Sequence, residues 1–235
     1  MQRLRLRYAK RGRLRFTSHR DFSRAFERAV ARARLPVAYS SGFNPHPRIS
    51  YAGAAPTGSA SEAEYLEVAM AQVVEPERVL AVLDEALPDG LDVLTVVEAG
   101  PGSLSDRLQA SRWRTTLPGV SAETAEAAVR ALLDASEVRV QRMTKKGVRE
   151  FDCRAAVVSL RLCPVPESDQ PCAILDLVLR HGNPAVRPDD VLAGLREVAG
   201  LEVDAAVLHE RLAQGPLDAE TGTLGDPLTP DRDAV

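Results

Sequence analysis

The sequence predicts an α+β protein built from two tandem ferredoxin-like domains, each an antiparallel sheet of the split βαβ type. Residues 1–98 show strand- and helix-type patterns in the order β, α, β, β, α, β, and residues 111–213 repeat this order with one extra strand. Between them, residues 99–110 are rich in Gly, Ser and Pro and have the composition of a linker. The acidic, Gly/Pro/Thr-rich residues 214–235 have little to bury, so we expect a disordered tail.

The first domain opens with two short runs in which arginine alternates with apolar residues, at 3–8 and 13–16. This period of two predicts half-buried strands, and Lys10-Arg11-Gly12 fits a hairpin turn between them. An apolar stripe over residues 19–34 then predicts an amphipathic helix, capped by Ser18 and stopped by Pro36. The rest of the domain is predicted as an extended stretch at 37–52, a strand at 62–72, a helix at 75–87 and a strand at 91–98.

The second domain repeats these signals. Its predicted elements are a strand at 112–117, a helix at 121–135 capped by Ser121, a hairpin of 137–143 with 148–162, a strand at 172–180, a helix at 188–198 and a last strand at 201–209.

Charge is distributed very unevenly along the chain. The first 48 residues contain 13 of the 30 Lys and Arg residues but only two acids, Asp21 and Glu27, a net of +11. The remaining residues carry 17 basic and 31 acidic side chains, a net of −14. Such asymmetry predicts a polyanionic partner for the N-terminal segment. Arginine outnumbers lysine 27 to 3, the imprint of a GC-rich genome, so a merely solvated arginine face is the alternative.

The pattern places arginines in two rows, one on the open face of the sheet and one on the first helix. Like charges opposed across a sheet are unfavourable, a cost that is tolerated more easily where an anion binds. The residues predicted to hold phosphates are Arg3, Arg5, Arg7, Arg13, Arg15, Arg20, Arg24 and Arg28, with Lys145 and Lys146 as a possible extension from the second domain.

The segment from Ser40 to Tyr51 is the most unusual local sequence. Pro45 and Pro47 flank His46 and remove two backbone donors, which predicts a stiff loop. Phe43, Asn44, His46 and Arg48 suit an unpaired base, because rings stack on it, an amide contacts its edge and a guanidinium holds a phosphate. The alternative is structural, with Phe43 in the core and Asn44 capping a turn.

His19 and His46 are the candidate acid and base if the chain cleaves RNA, because histidine titrates near neutrality. We expect no metal site and no cofactor. The three cysteines lie ten and nine residues apart, which matches neither a disulfide framework nor a zinc or iron–sulfur motif and predicts buried reduced thiols.

Residues 16–67 resemble a known bacterial family. The Phe-x-Ser-His-x-Asp run at residues 16–21 and the Gly-Phe-Asn-Pro-His-Pro run at residues 42–47 resemble the radical-SAM-linked proteins, a domain of unknown function. In that family the domain is fused to, or encoded beside, a cobalamin-binding radical S-adenosylmethionine (SAM) enzyme. The resemblance implies a stand-alone companion to such an enzyme, since this chain has no closely spaced cysteine triplet to bind a radical SAM cluster.

Together these observations predict a non-catalytic RNA-binding module that presents tRNA or rRNA to a separately encoded radical SAM enzyme. Two alternatives stay open: a subunit that docks on that enzyme without nucleic acid, and a metal-independent endoribonuclease that resembles CRISPR RNA-processing nucleases. The sequence contains neither a membrane-spanning apolar run nor a secretory signal, so we expect a cytoplasmic protein without a membrane partner.

Overall fold

The computed structural model describes residues 1–144, 147–164 and 171–233. The chain divides into two units: unit 1 comprises Met1–Leu108 and Gly225–Val235, and unit 2 comprises Gln109–Leu224.

Unit 1 has the strand and helix order of a ferredoxin-like domain. Its elements are β1 (Arg3–Lys10), α1 (His19–Arg32), β2 (Ile49–Ala52), β3 (Ala60–Ala69), α2 (Pro76–Ala86), β4 (Val93–Glu98), the short helix α3 (Leu104–Arg107) and, near the end of the chain, α6 (Thr229–Arg232). The strands form an antiparallel sheet in the order β4-β1-β3-β2. This order places β3 inside a split βαβ unit, which confirms the predicted fold class for the first half.

One face of this sheet and both long helices enclose the main core of unit 1. Leu4, Leu6 and Tyr8 of β1 pack with Phe22 and Phe26 of α1 in this core. The rings of Tyr8 and Phe22 are stacked with their centroids 4.3 Å apart. The helix starts as predicted, because the Asp21 N–H donates to the Ser18 hydroxyl at 3.2 Å.

The predicted hairpin between residues 3–8 and 13–16 is wrong. Residues Gly12–Phe16 form a 3-10 turn instead of a second strand. Gly12 has a positive φ of 53°, which turns the chain out of the sheet direction immediately after β1. Backbone hydrogen bonds then hold the turn, with the Leu14 N–H donating to Arg11 at 3.0 Å and the Gly58 N–H donating to Arg15 at 2.8 Å. Arg13 and Arg15 therefore do not share a strand face with the arginines of β1.

The second face of the sheet in unit 1 is covered by two segments that were predicted to be a linker, at residues 99–110, and a disordered tail, at residues 214–235. Leu104 and Leu108 from the first segment and Leu228 from the second pack with Ala63 and Tyr65 of β3. Residues 99–108 and 225–233 are therefore ordered parts of unit 1, and residues 214–224 of the expected tail belong to unit 2. The apolar residues responsible are too sparse to produce a pattern, but each fills space on the sheet.

Unit 2 repeats the fold. Its elements are β5 (Ala110–Pro118), α4 (Ala122–Asp134), β6 (Arg139–Thr144), β7 (Gly147–Asp152), β8 (Val157–Cys163), β9 (Cys172–Arg180), α5 (Pro188–Ala199) and β10 (Leu208–Gly215). The sheet order β10-β5-β9-β8, all antiparallel, is again ferredoxin-like. The β6–β7 hairpin is inserted before β8 and forms a small sheet of its own.

Two predicted boundaries in unit 2 were wrong. The run 148–162 contains two strands rather than one, because a 3-10 turn at Arg154–Ala156 separates β7 from β8. The last strand begins at Leu208 rather than at 201. Gly200 ends α5 in the left-handed conformation with φ 63°, and Leu201 is buried beside it, so part of the apolar run closes the helix end.

Candidate functional site

The arginines of β1 are largely neutralised, contrary to the prediction that they hold phosphates. Arg5 is 0% exposed. Its Nε donates to Glu67 of β3 at 2.9 Å, its Nη1 donates to Asp231 at 2.7 Å, and its Nη2 donates to the Gly102 carbonyl. The register explains the first contact, because Arg5 and Glu67 are direct cross-strand partners. Arg5 therefore cannot reach an external phosphate in this structure.

The two neighbours of Arg5 on the same face are only partly available. The side chain of Arg3 is 48% exposed, but its guanidinium also contacts Glu67, at 3.1 Å. Arg7 is half-buried and its Nε donates to the backbone carbonyl of Glu62 at 2.7 Å. Of the three predicted strand ligands, Arg3 alone presents a largely accessible cation.

Asp231 accepts hydrogen bonds from two arginines, Arg5 and Arg107, so the stability of the protein should depend on the ionisation of this carboxylate. Arg107 donates to its second oxygen at 2.8 Å and the Gly100 N–H donates at 2.9 Å. Burial by itself would raise the pKa of Asp231, but the hydrogen bonds from Arg107, Arg5 and Gly100 outweigh it and hold the pKa below its usual value.

Because the pKa of Asp231 is lower in the folded than in the unfolded state, its contribution to stability should be complete above the unfolded pKa of about 3.9. It should be lost as the pH falls from there through the lower folded pKa. We expect the acid-induced fall in unfolding free energy, measured in urea at a series of pH values, to be smaller in Asp231→Asn than in the unmodified chain. Equal falls in both proteins would contradict this assignment.

The helix arginines remain accessible. Arg20, Arg24, Arg28 and Arg32 are all exposed and follow one another at four-residue steps on the side of α1 opposite Phe22 and Phe26. Within the described part of the chain, none of these four forms an ion pair within 4.0 Å of a carboxylate. We call these four residues the α1 stripe.

Arg13, in the 3-10 turn, is also exposed, whereas the guanidinium of Arg15 lies over the Phe16 ring at 4.5 Å.

Residues 39–47 form a protruding loop, which we call the tip loop. An isolated bridge joins Tyr39 and Pro47 at its base, and the Ser40 N–H donates to the His46 carbonyl at 2.8 Å. The Ser40 hydroxyl accepts in return from the His46 N–H at 3.0 Å. Phe43 lies between these anchors and is 102% exposed, so it is not a core residue. Asn44 is exposed beside it.

A polar pocket of about 340 Å³ lies between the base of the tip loop and the β1 arginine face. Three residues predicted to bind RNA line it: Arg3, His46 and Arg48. Ser40, Ser50 and Glu67 also contribute to its wall, and the sequence analysis had not selected them. No local signal indicates Ser50 or Glu67, because only the pairing of β2 with β3 brings them together. The pocket offers two guanidiniums and an imidazole beside one carboxylate, a set that fits an anionic group.

The structure does not assemble a histidine pair. His19 packs its ring against Tyr51 with centroids 4.8 Å apart, on the sheet face that carries α1. His46 lines the pocket that Arg3 and Glu67 share on the other face. This separation does not favour an acid–base pair. The described residues also contain no group of three or more His, Cys, Asp or Glu side chains arranged to hold a metal ion.

Unit 2 contributes a hydroxyl–imidazole–carboxylate series that the sequence analysis did not single out. The Thr115 hydroxyl lies 3.0 Å from His209 Nδ1, and His209 Nε2 lies 3.1 Å from Asp189. The hydrogen bond to His209 is the main reason that the pKa of Asp189 is lowered. Thr115 is buried, which removes its hydroxyl from any substrate, so this series is structural rather than catalytic.

The cysteines depart in part from the predicted buried thiols. All three are free, but only Cys153 is buried, and burial is the main cause that raises the pKa of its thiol to about 11. Cys163 and Cys172 are half-buried and line a cavity of about 860 Å³ between α4 and the β8–β9 pair.

Lys145 and Lys146, predicted to extend the basic surface, lie outside the described residues.

Comparison with known proteins places this chain in a family. A family model described as "Uncharacterized protein conserved in bacteria (DUF2344)" matches residues 3–188. The chain belongs to this family. The match covers α1, the tip loop and most of unit 2, whereas Asp189, His209 and Asp231 lie beyond its last residue. No curated protein matches the chain.

Two solved structures are similar to this DUF2344 chain over most of its length. An unknown protein from Galdieria sulphuraria is 13% identical, with 89% of this chain and 98% of that chain covered and a TM-score of 0.25. The first two RRM domains of yeast poly(U) binding protein (Pub1) are 11% identical, with the same coverages and a TM-score of 0.22. None of the described helices is long and apolar enough to cross a membrane.

Proposed function

We propose that this protein is a non-catalytic RNA-binding module whose RNA contact is on unit 1. The observation that carries the proposal is the α1 stripe, in which four exposed arginines follow one helix face without a carboxylate within ion-pair distance among the described residues. On β1, by contrast, Arg5 is ion-paired with both Glu67 and Asp231. Uncompensated arginines in a row attract a phosphate backbone.

The tip loop adds a stacking surface to the cationic surface of α1. Phe43 is a fully exposed aromatic ring on a loop whose base is fixed by hydrogen bonds, a platform on which an unpaired base can stack. Asn44 and His46 offer polar groups to a base edge, and Arg48 beside them offers a guanidinium to a phosphate. The sequence predicts the same role for these four residues.

The partner in this proposal is a separately encoded, cobalamin-binding radical SAM enzyme that modifies tRNA or rRNA. The resemblance of residues 16–67 to the radical-SAM-linked proteins supports this part. The RNA-binding module would present its RNA to that enzyme, and it would need no cofactor of its own.

The direct test is fluorescence anisotropy of the purified chain with total tRNA and with an rRNA-derived oligomer at several salt concentrations. If each of the four arginines of the α1 stripe and Arg48 neutralises one phosphate of a single strand, log K should fall with log[salt] at a slope of about −3.5. Absence of binding at low salt would reject the proposal. A complex with the radical SAM enzyme that forms without RNA would then establish the docking subunit instead.

Phe43→Ala should weaken RNA binding about fivefold or more, because it removes the stacking surface for one base. The thermal unfolding midpoint should not change, since the ring has no packing contacts to lose. Tyr39→Ala, which removes an exposed ring at the base of the same loop, is the matched control for a general loss of aromatic surface. If Phe43→Ala binds RNA as well as the unmodified chain, the tip loop is not a base platform.

A further inference from the structure

The face of the unit 2 sheet opposite α4 and α5 carries a second group of arginines. Trp113 and Leu177 of β5 and β9 are buried in the face that α4 and α5 cover. Residues at the alternate positions project from the opposite face. The strand registers place Arg114, Asp176 and Arg161 next to one another in one row across that face.

Asp176, in the middle of this row, binds the guanidiniums of Arg161 and of Arg112, which precedes Arg114 by two residues on β5. Arg112 donates to Asp176 through Nε and Nη2, both at 2.8 Å, and Arg161 donates to Oδ2 of Asp176 through Nε at 3.1 Å and Nη2 at 2.7 Å. The hydrogen bond from Arg112 is the main cause that lowers the pKa of Asp176, so the carboxylate is ionised at neutral pH. The three side chains therefore carry a net charge of +1.

Among the described residues, one group of each guanidinium takes no part in binding Asp176. Arg112 and Arg161 each contact Asp176 through Nε and Nη2, so the Nη1 group of each guanidinium has no part in these bonds. Their side chains are 44% and 68% exposed, whereas the Asp176 side chain is 7% exposed. The buried carboxylate thus orients two exposed guanidiniums, which is the pre-organised arrangement that favours binding of an oxyanion.

We propose that Arg112 and Arg161 bind a backbone phosphate of single-stranded RNA, which makes this face of unit 2 a second contact for the ligand of unit 1. This inference rests on the proposed function. The described positions of this face in β5, β8 and β9 carry no aromatic ring that could stack on a base, so the contact is to the phosphate backbone and does not depend on base identity.

The test compares the full-length Arg112→Gln/Arg161→Gln variant with the unmodified chain. The probe is a labelled single-stranded oligoribonucleotide about 20 nucleotides long, titrated between about 50 and about 200 mM salt. Loss of this phosphate contact should make the slope of log K against log[salt] shallower by about 0.7. Affinity at the lowest salt should fall about threefold to tenfold.

Two further variants keep the test decisive. Arg161→Gln leaves the Arg112–Asp176 pair intact, so it should give a smaller change in slope without loss of folding. Arg196→Gln is the matched control, because Arg196 is also an exposed, ion-paired arginine of unit 2, with Glu202 at 2.8 Å. It should bind RNA like the unmodified chain.

The outcomes separate the two proposals. If the unmodified chain binds the oligoribonucleotide and the double variant behaves like Arg196→Gln, the unit 2 contact is rejected and the function proposed for unit 1 stands. If the unmodified chain binds no RNA at low salt, both are rejected.

Discussion

Arg5→Ala should lower the free energy of unfolding by about 3–5 kcal/mol, a large part of the stability of a typical domain. Arg5 is completely buried and satisfies Glu67, Asp231 and the Gly102 carbonyl at once. Its removal leaves two carboxylates with one partner fewer, and Asp231 is itself completely buried. Urea unfolding followed by circular dichroism measures the effect.

Arg3→Ala is the matched control for Arg5→Ala. Arg3 lies two residues earlier on the same face of β1 and pairs with the same Glu67, but its side chain is 48% exposed. Exposed ion pairs contribute about 0–1 kcal/mol, so this change should be nearly neutral. If Arg5→Ala were as mild as Arg3→Ala, the burial of Arg5 beneath residues 225–233 would be wrong.

This difference also decides how RNA binding should be tested. Any variant that includes Arg5 is expected to unfold part of unit 1, so a loss of binding in it would say nothing about phosphate contacts. The α1 stripe avoids this difficulty, because its side chains are exposed and make no ion pair among the described residues.

Arg20→Glu/Arg24→Glu/Arg28→Glu should weaken RNA binding by about two orders of magnitude or more at low salt. The three residues follow one another at four-residue steps, so the change converts a continuous cationic row into an anionic one. Lost phosphate contacts and added repulsion act together, and both are strongest at low ionic strength. Anisotropy titration against total tRNA measures the loss, and the thermal unfolding midpoint checks the fold.

The control for this variant has the same change in net charge at another place. Arg78→Glu/Arg130→Glu/Arg196→Glu reverses three exposed helix arginines on α2, α4 and α5. We expect it to retain most of the affinity. Equal losses in both triple variants would mean that RNA responds only to overall charge, and no loss in the α1 variant would exclude the stripe as the RNA surface.

The elements with strong periodicity were predictable from the sequence. The helix patterns at 19–34 and 75–87 and the strand at 172–180 all have counterparts with boundaries within a few residues. Local signals suffice there because an amphipathic stripe and a capping residue specify a helix regardless of what it packs against. The 3-10 turn after β1 was missed because an alternation of four residues fits a turn as well as a strand.

The residues of the candidate site were predictable where the local helix or loop alone determines which side chains face solvent. Arginines opposite the apolar stripe of α1 must face solvent, and a loop with two prolines around His46 cannot join a sheet ladder. The pocket at the tip loop was not predictable, because Arg3, His46 and Glu67 come from distant parts of the chain.

The sequence by itself determined the two βαββαβ cycles, the excess of basic residues in the first 48 positions and the arginine row opposite the apolar stripe of α1. Only the tertiary structure decided which arginines keep their charge available. Strand pairing places Glu67 opposite Arg5. The folding of the C-terminal segment against unit 1 places Asp231, 226 residues later in the sequence, in contact with the same guanidinium. Charge along a sequence is additive, but a buried ion must find its counterion in space, so the fold selects which basic residues remain for a partner.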